Sequence, residues 1–169
     1  NAAEQIFSNY RKRTEKEIAR IFNINCSSVI KIIKIYSILF EKFNMKKGKI
    51  LNIASIYGFL SPDFKIYSRG DRYSSEIYGA SKSSVIQITK YFAVLLANKK
   101  ININCLSPGG IINRKKQSVK FINKFRNNVP LKRLANVEDI FTGVLYLVSS
   151  ASDYTTGQNI IIDGGLSLK

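Results

Sequence analysis

A tyrosine and a lysine lie four positions apart in the segment IYGASKSSV (residues 77–85). If this segment is helical, Tyr78 and Lys82 share one face, because side chains at positions i and i+4 are neighbours on a helix. A free tyrosine titrates near pKa ~10 and is a poor acid–base group at neutral pH. A nearby ammonium group favours the phenolate and lowers that pKa. Such a pair could protonate a carbonyl oxygen as a hydride arrives, or deprotonate an alcohol as a hydride leaves.

A serine in front of this helix could act on the same oxygen. Ser55 ends the short β-rich run KILNIAS (49–55), which is typical of a buried strand. Its hydroxyl could donate a hydrogen bond to a carbonyl oxygen and stabilise charge that develops there. Neither feature is specific alone, because the chain is rich in tyrosine and lysine and serines often end strands. Their order is more specific: a strand ending in serine, the Tyr–Lys helix, and then a strand followed by Pro108-Gly109.

The elements that would position these groups alternate between strands and helices. This alternation predicts an α/β fold with three layers, in which helices cover both faces of a parallel sheet. Ligands of such sheets bind beyond the carboxyl ends of the strands, so Ser55 and Ser107–Gly110 would lie at the ligand edge. A capping box at Thr14 and Glu17 predicts the start of the first helix. The strands are predicted at 49–55, 101–107 and 159–165, and the later helices at 27–43 (with Val29, Ile30, Ile33 and Ser37 on the buried face), 75–97, 115–127 and 136–149.

Composition narrows the classes of function. The 169 residues suit one domain, and a chain without histidine offers neither a His-based catalytic triad nor a histidine-containing zinc site. The net charge of +16 could indicate a nucleic-acid partner, but the basic residues are spread along the whole chain and no nucleic-acid-binding motif accompanies them. Two cysteines form no disulfide framework and favour a reducing cytoplasm. The longest apolar stretch, 29–40, contains two lysines and is too short to span a bilayer.

Taken together, the motifs resemble the classical short-chain dehydrogenase/reductase family over nearly the whole chain. YGASK (78–82) resembles the family's Tyr-x-x-x-Lys signature, and LNIASIYG (51–58) resembles its serine strand. NAA (1–3) resembles the end of the family's Asn-Asn-Ala-Gly segment, with Ala3 where glycine is usual. The remaining similar segments are NIN (23–25), INCLSPGGI (103–111), PLKRLANVEDI (130–140) and TGQNIIIDGG (156–165).

The resemblance implies a Rossmann-type fold and a set of roles. Tyr78 would be the general acid or base, and Ser55 would orient the substrate carbonyl. Lys82 would lower the pKa of Tyr78 and hold the ribose next to the nicotinamide, and Asn25 would position a water in a proton relay to Lys82. The cofactor would be NAD or NADP, and no metal is implied. The implied cofactor contacts are Asn1, Tyr78, Lys82, Pro108, Gly109, Gly110, Ile111 and Asn113.

Three features depart from the family pattern. The glycine-rich phosphate-binding turn is absent and is expected upstream of Asn1, so residues 1–169 would be the C-terminal two-thirds of a single N-terminally truncated Rossmann domain. The residues that choose between NAD and NADP would lie in that upstream segment. Asn113 stands at the position after Pro-Gly where the family often has threonine. The stretch between Ser55 and Tyr78 is also longer than usual.

That longer stretch, FLSPDFKIYSRGDRYSSE (59–76), would hang over the substrate side of the site. Lys65, Arg69 and Arg72 could meet an anionic group such as phosphate there. Alternatively, the stretch is an ordinary solvated loop. Together with the serine strand, it resembles dehydrogenases of bacterial surface-glycan and flagellin-modification pathways.

The sequence thus predicts an NAD(P)-dependent oxidoreductase that transfers a hydride between nicotinamide and a carbonyl/alcohol substrate. A sugar-derived substrate is the first candidate, and a 3-oxoacyl thioester is the next. The alternatives are a non-catalytic remnant of such an enzyme and, less favoured, a basic nucleic-acid-binding protein. The resemblance implies a homodimer through the helices near 27–43 and 75–97, or a homotetramer in which the C-terminal strand also takes part. Ile30, Ile33, Val85, Ile86 and Leu95 are the candidate interface residues.

Overall fold

Three parallel strands form the sheet, as the sequence predicts. The computed structural model describes residues 3–68 and 73–168, so the expectations for Asn1, Arg69 and Arg72 lie outside the described residues. The strand order is β1-β2-β3. Gly48 pairs with Ile101 at one end of the sheet, and Pro108 pairs with Ile162 at the other. The strands are β1 (Gly48–Ile53), β2 (Ile101–Pro108) and β3 (Asn159–Ile162).

Helices precede β1 and connect the strands. The first begins with the predicted capping box, in which Thr14 and Glu17 bind each other's backbone N–H groups. An equivalent box at Asn136 and Asp139 starts the last helix. These side chains satisfy backbone donors that no helical carbonyl can reach. The helices are α1 (Glu15–Phe22), α2 (Ser28–Lys42), α3 (Glu76–Leu95), α4 (Val119–Asn128) and α5 (Val137–Val148).

The two faces of the sheet are covered by different helices, which gives the three layers of a Rossmann-type fold. On one face, α2 and α3 pack on β2 through residues such as Val29, Val85 and Ile103. On the other face, α5 approaches so closely that a Cβ at Gly143 would lie 2.8 Å from Leu106 Cδ1. The glycine therefore lets the helix backbone approach the sheet. The carboxyl ends of β1 and β2 consequently share one edge, where Ser55 and Pro108 lie.

Helices α1 and α2 are joined by a π-helical segment, Asn23–Ser27, rather than by a break. The continuous helical run Glu15–Lys42 has 28 residues and a mean hydropathy of 1.2 over its most apolar window, which is enough by length and composition to cross a membrane. This is weak evidence for a span, because α2 contributes Val29, Ile33 and Phe40 to the core between helices and sheet.

Two expectations for α2 and α3 are wrong in detail. Ile30 is 41% exposed and Ser37 is half-buried, and Phe40 instead continues the buried stripe of Val29 and Ile33. The reason is geometric, since each residue turns a helix by about 100° and positions 29, 33 and 40 align while 30 does not. Ile33 and Val85 are buried within the chain itself, so they cannot serve as interface residues.

The segment that follows β1 is packed against α4 and is not simply solvated. Ile66 belongs to a second core cluster with Phe125 and Val129. The rings of Tyr67 and Phe121 lie 5.5 Å apart between centroids. This packing fixes part of the segment next to α4, while Lys65 remains exposed and its role in binding an anion stays a prediction.

Candidate active site

Ser55 and Tyr78 lie together at the carboxyl edge of the sheet. Ser55 follows β1 and caps the short helical turn Ile56–Gly58, where its Oγ accepts a hydrogen bond from Tyr57 N at 3.2 Å. That contact uses an acceptor position and leaves the O–H free to donate, and the Ser55 side chain lies close enough to Tyr78 to lower its pKa in part. Tyr78 stands in the first turn of α3, whose cap Ser75 accepts from Tyr78 N at 3.3 Å. The cap and the strand end therefore fix both hydroxyl-bearing residues.

Lys82 lies one turn further along α3, below the end of β1. Its side chain is 3% exposed, and its Nζ donates to Ile53 O at 2.7 Å. The same Nζ is 5.7 Å from the centroid of the Tyr78 ring. Burial lowers the pKa of Lys82, because an apolar environment disfavours the ammonium form. An ammonium group has three donors, so two remain for other acceptors.

The pKa of Tyr78 moves in the opposite direction to the one expected from sequence. Burial raises the pKa of Tyr78 above its ordinary value of 10, and the Ser55 side chain only partly opposes this. Burial is the larger of the two effects on this pKa, and the tuning of Tyr78 by Lys82 stays a prediction. Tyr78 is therefore a protonated donor at neutral pH, which suits the protonation of a carbonyl oxygen.

Asn25 is placed near these residues by the π-helical segment, but its side chain is already engaged. It is 2% exposed. Its Oδ1 accepts from Glu4 N at 2.8 Å, and its Nδ2 donates to Glu4 O and to Ser81 Oγ, both at 2.9 Å. Ser81 Oγ in turn donates to Tyr78 O at 2.8 Å. Asn25 thus connects the N-terminal segment to α3, and its role in holding a water stays a prediction.

The Pro-Gly segment after β2 is held by close backbone contacts. Gly109 N donates to Ile162 O at 2.8 Å, and a Cβ at Gly109 would lie 2.7 Å from Asp163 Cα. A Cβ at Gly110 would lie 2.5 Å from the Phe125 ring. Any other residue at these two positions would push the segment away from β3 or α4. The backbone at Pro108–Ile111 is therefore fixed at the ligand edge, as the predicted cofactor contact requires.

Asn113 has a local structural role in the turn before α4. Its N donates to Gln117 Oε1 at 2.7 Å, and its Oδ1 accepts from Lys115 N at 3.2 Å. The side chain thus stabilises the turn that replaces the first part of the predicted 115–127 helix. A contact between Asn113 and the cofactor stays a prediction.

An ion pair anchors the segment that pairs with Ile111. Ala135 N donates to Gly110 O at 2.9 Å, and Arg133 binds the Asp139 carboxylate with both Nη atoms at 2.5 and 2.7 Å. The Arg133 hydrogen bond, aided by Asn136 N, lowers the pKa of Asp139 to about 2. The pair thus supports the segment 133–136 beside the Pro-Gly turn.

This pair predicts a pH-dependent contribution to stability. Because the folded pKa of Asp139 lies below its ordinary 3.8, the stabilisation is present above that value and is lost as the pH falls through about 2. Asp139→Asn should lower the melting temperature at pH 7, and the difference from wild type should shrink as the pH approaches 2. Thermal unfolding followed by circular dichroism measures this, with Glu138→Gln at the exposed neighbouring position as the control. A difference that is constant with pH would contradict the assignment.

Tyr57 is a neighbour of the site that sequence reasoning did not single out. Its hydroxyl lies 3.3 Å from the hydroxyl of Tyr67, and burial strongly raises its pKa, so it is permanently protonated. Tyr78 is close enough to add to this shift. The available signal was its place two residues after Ser55 in SIYG, which puts its ring at the same sheet edge.

The described residues contain no cluster of three or more His, Cys, Asp or Glu side chains that could hold a metal. Cys26 and Cys105 are buried free thiols, and burial raises the pKa of each. The side-chain groups at this edge that can donate or exchange protons are the hydroxyls of Ser55 and Tyr78 and the Lys82 ammonium.

Comparison with known proteins agrees with this geometry. The family described as enoyl-(acyl carrier protein) reductase matches residues 1–167. A solved short-chain dehydrogenase from Leptospira borgpetersenii with bound NAD+ is 37% identical, with a TM-score of 0.90 over 98% of this chain and 62% of that one.

Curated relatives give the same picture. The post-translational flagellin modification protein A of Campylobacter coli is 30% identical over 94% of this chain. A 3-oxoacyl-[acyl-carrier-protein] reductase of Buchnera aphidicola is 32% identical over 90% of it. The chain spans 60% and 59% of the length of these two relatives. The match over nearly the whole chain, with the shared fold, shows that the protein belongs to the short-chain dehydrogenase/reductase family.

Proposed function

We propose that the full-length protein is an NAD(P)-dependent oxidoreductase that interconverts a carbonyl compound and an alcohol. The observation that carries this proposal is the placement of the Ser55 hydroxyl, the Tyr78 phenol and the Lys82 ammonium at the carboxyl edge of the sheet. Two adjacent hydroxyl donors can converge on one carbonyl oxygen. Within this proposal, residues 1–169 form a single domain that corresponds to the C-terminal two-thirds of the Rossmann domain.

Ser55, Tyr78 and Lys82 would each have a different role in proton transfer. A bound nicotinamide dinucleotide would supply or accept the hydride. Ser55 would donate a hydrogen bond to the substrate oxygen and orient it, and Tyr78 would give that oxygen its proton as negative charge develops. In the reverse direction, the phenolate of Tyr78 would remove the proton from the alcohol. Lys82 would stabilise that phenolate through its positive charge.

The residues present fit a nicotinamide ribose and amide. Lys82 is buried at the edge of the sheet with two donors beyond the one that binds Ile53 O, which suits a ribose hydroxyl. The fixed backbone from Pro108 to Ile111 lies beside it and offers polar groups to an amide. The nicotinamide ribose and amide are common to NAD and NADP, so these residues would suit either cofactor.

Relatives support two substrate classes. A sugar-derived carbonyl compound is favoured by the 30% identity to the flagellin modification protein, and a 3-oxoacyl thioester by the 32% identity to the reductase. We place the sugar-derived compound first because the segment after Ser55 resembles the flagellin-modification dehydrogenases. The protein would act in the cytoplasm on a small molecule, without a membrane or nucleic acid as partner.

The proposal is tested by hydride transfer in the full-length protein. NADH and NADPH are each offered with acetoacetyl-coenzyme A and with a panel of ketosugars, and loss of nicotinamide absorbance is followed. We expect turnover with one class, and none in the Ser55→Ala/Tyr78→Phe double variant. Turnover that survives in the double variant, or binding of neither dinucleotide, would refute the assignment and leave a non-catalytic remnant as the explanation.

We also propose a homodimer or homotetramer, which is a separate prediction. The outer faces of α2 and α3 expose apolar residues that a soluble monomer rarely groups together. Val94→Glu should weaken the dimer at least about tenfold, because it buries a charge without a partner. Light scattering at micromolar concentration measures the mass, and Val119→Glu on α4 is the matched control. A wild-type monomer would contradict the prediction. The exposed residues are Ile30, Ile35, Ile38, Tyr91, Val94 and Leu95.

A further inference from the structure

A cavity of about 310 Å³ lies between the segment that follows Ser55 and helix α4. Two of its lining residues connect it to the active site. Ile56 directly follows Ser55, and a Cβ at Gly110 would lie 2.5 Å from the ring of Phe125. The cavity is therefore bounded by the end of β1 and by the Pro-Gly turn after β2, which are the two segments that the proposed reaction uses. We call it the α4 cavity.

Tyr57 lines the α4 cavity and lies close to Tyr78. Burial raises the pKa of Tyr57, and the nearby Tyr67, Tyr78 and Asp63 side chains add to this effect. Electrostatic effects weaken with distance, so the Tyr57 phenol is near Tyr78 and also near Asp63, which lines the cavity. The Tyr57 hydroxyl itself is 3.3 Å from the Tyr67 hydroxyl. A substrate whose carbonyl oxygen meets Tyr78 could thus extend past Tyr57 into the cavity.

The floor of the α4 cavity is apolar. Ile56, Ile66 and Phe125 are at most 5% exposed, and the half-buried Leu60 and Leu166 complete the floor. Such a floor favours the apolar face of a bound molecule, because contact with it removes water from both surfaces. The volume is near the small end of the range for ligand pockets, so it suits a single ring rather than a long chain.

The rim of the α4 cavity is polar and is fixed by hydrogen bonds. Asp63 Oδ1 accepts from Lys65 N at 2.9 Å, and Asp63 Oδ2 accepts from Asn128 Nδ2 at 3.0 Å. A carboxylate has about four acceptor positions, so Asp63 can accept further hydrogen bonds from a ligand. Among the described residues, Asn128 Oδ1 and the second N–H of its amide have no partner, so they are available too. The exposed Ser61 adds a hydroxyl to this rim.

Floor and rim together match a ring that carries hydroxyl groups. The C–H face of such a ring would pack on the apolar floor, while its hydroxyls would donate to Asp63 and accept from Asn128. A plain acyl chain would contact the floor but would use none of the polar groups at the rim. The cavity therefore distinguishes between the two substrate classes that the relatives leave open.

We propose that the α4 cavity is the part of the substrate site that binds a hydroxyl-bearing ring, with Asp63 and Asn128 as the residues that select its hydroxyl groups. This role rests on the proposed function, and it places the substrate in the sugar-derived class. The apolar floor selects the ring, and the rim selects the hydroxyls.

Sugar rings and a ring without hydroxyl groups test the proposal by nuclear magnetic resonance titration of the full-length protein. The probes are the methyl glycosides of glucose, galactose, mannose and N-acetylglucosamine, with methoxycyclohexane as the ring that lacks hydroxyl groups. We expect at least one glycoside to bind saturably and at least about tenfold more tightly than methoxycyclohexane, because it gains hydrogen bonds to a charged group. If no glycoside reaches this preference, the proposal is wrong.

Two leucine variants locate the binding. Asn128→Leu removes the amide from the rim with little change in volume, and it should weaken glycoside binding about fivefold without weakening methoxycyclohexane. Asn127→Leu makes the same change at the exposed neighbouring position, about 100° around α4 and outside the cavity, and should leave both affinities unchanged. Equal effects of the two variants, or equal losses for both probes in Asn128→Leu, would overturn the proposal. The comparison of the probes on the wild type remains decisive if Asn128→Leu does not fold.

Failure of the sugar site and failure of the proposed function give different results. Turnover of a carbonyl compound without selective binding of a glycoside would overturn the sugar site and leave the oxidoreductase assignment standing. Selective binding of a glycoside by a protein that binds neither NADH nor NADPH would support the sugar site and refute the oxidoreductase assignment.

Discussion

Replacing Tyr78 by phenylalanine should lower the turnover of the full-length protein by roughly 10²–10⁴-fold, which is the usual contribution of a positioned proton donor. The phenyl ring keeps the packing at the start of α3 but has no proton to transfer. Dinucleotide affinity should change little, because the Lys82 ammonium and the backbone at 108–111 are untouched. The measurements are the steady-state rate and the calorimetric affinity for NADH and NADPH.

Tyr57→Phe is the matched control for this variant. It also removes one half-buried phenol from the carboxyl edge of the sheet, but its hydroxyl contacts Tyr67. Its effect on the rate should therefore be much smaller than that of Tyr78→Phe. A Tyr78→Phe enzyme that keeps more than half of the parental rate would show that Tyr78 is not the acid or base.

Much of the scaffold could be predicted because it depends on local signals. Thr14 with Glu17, and Asn136 with Asp139, mark helix starts through bonds between residues three positions apart. The strand before Ser55 follows from a short apolar run bounded by turn residues. The order of strands and helices then implies a parallel sheet and a common edge for its carboxyl ends. Ser55, Tyr78 and Lys82 come together for that reason.

Features that depend on several distant segments could not be predicted in the same way. The sequence predicts Ile30 on the buried face together with Val29 and Ile33, but Ile30 is exposed, because the way α2 packs on the sheet decides which side of that face is covered. The segment after Ser55 contacts two parts of the fold, because Tyr67 packs on Phe121 of α4, and Phe59, Tyr67 and Tyr73 line a cavity against the first turns of α3. That cavity combines residues that are more than 60 positions apart, such as Tyr10 and Tyr73, and no local pattern indicates it.

The direction of the pKa shift of Tyr78 could not be predicted from the sequence either. Spacing places an ammonium one turn away and predicts a lowered pKa. The actual direction depends on how deeply the phenol is buried. In the structure, burial raises the pKa of Tyr78. Reduction of a carbonyl needs the protonated phenol. The rate of reduction should therefore begin to fall at a more alkaline pH than it would if the pKa of Tyr78 were lowered.

Lys82→Met should lower both cofactor affinity and turnover in the full-length protein. The variant keeps the length of the side chain but removes the donors for a ribose hydroxyl and the positive charge beside Tyr78. We expect dinucleotide affinity to fall roughly tenfold, as for the loss of a hydrogen bond from a charged group, and the rate roughly 10²-fold. Calorimetry and steady-state kinetics measure the two effects on one preparation.

The stability of the variant separates this role from a structural one. Burial lowers the pKa of Lys82, so the ammonium destabilises the fold at neutral pH, and this cost disappears as the pH rises through the lowered pKa towards the ordinary 10.5. Lys82→Met removes the cost, although it leaves Ile53 O without its donor, so the melting temperature at pH 7 should not fall sharply. Lys90→Met, at an exposed position two turns along α3, controls for the loss of one positive charge. Unchanged cofactor affinity in Lys82→Met would rule out the ribose contact, and equal losses in both lysine variants would assign the effect to net charge instead.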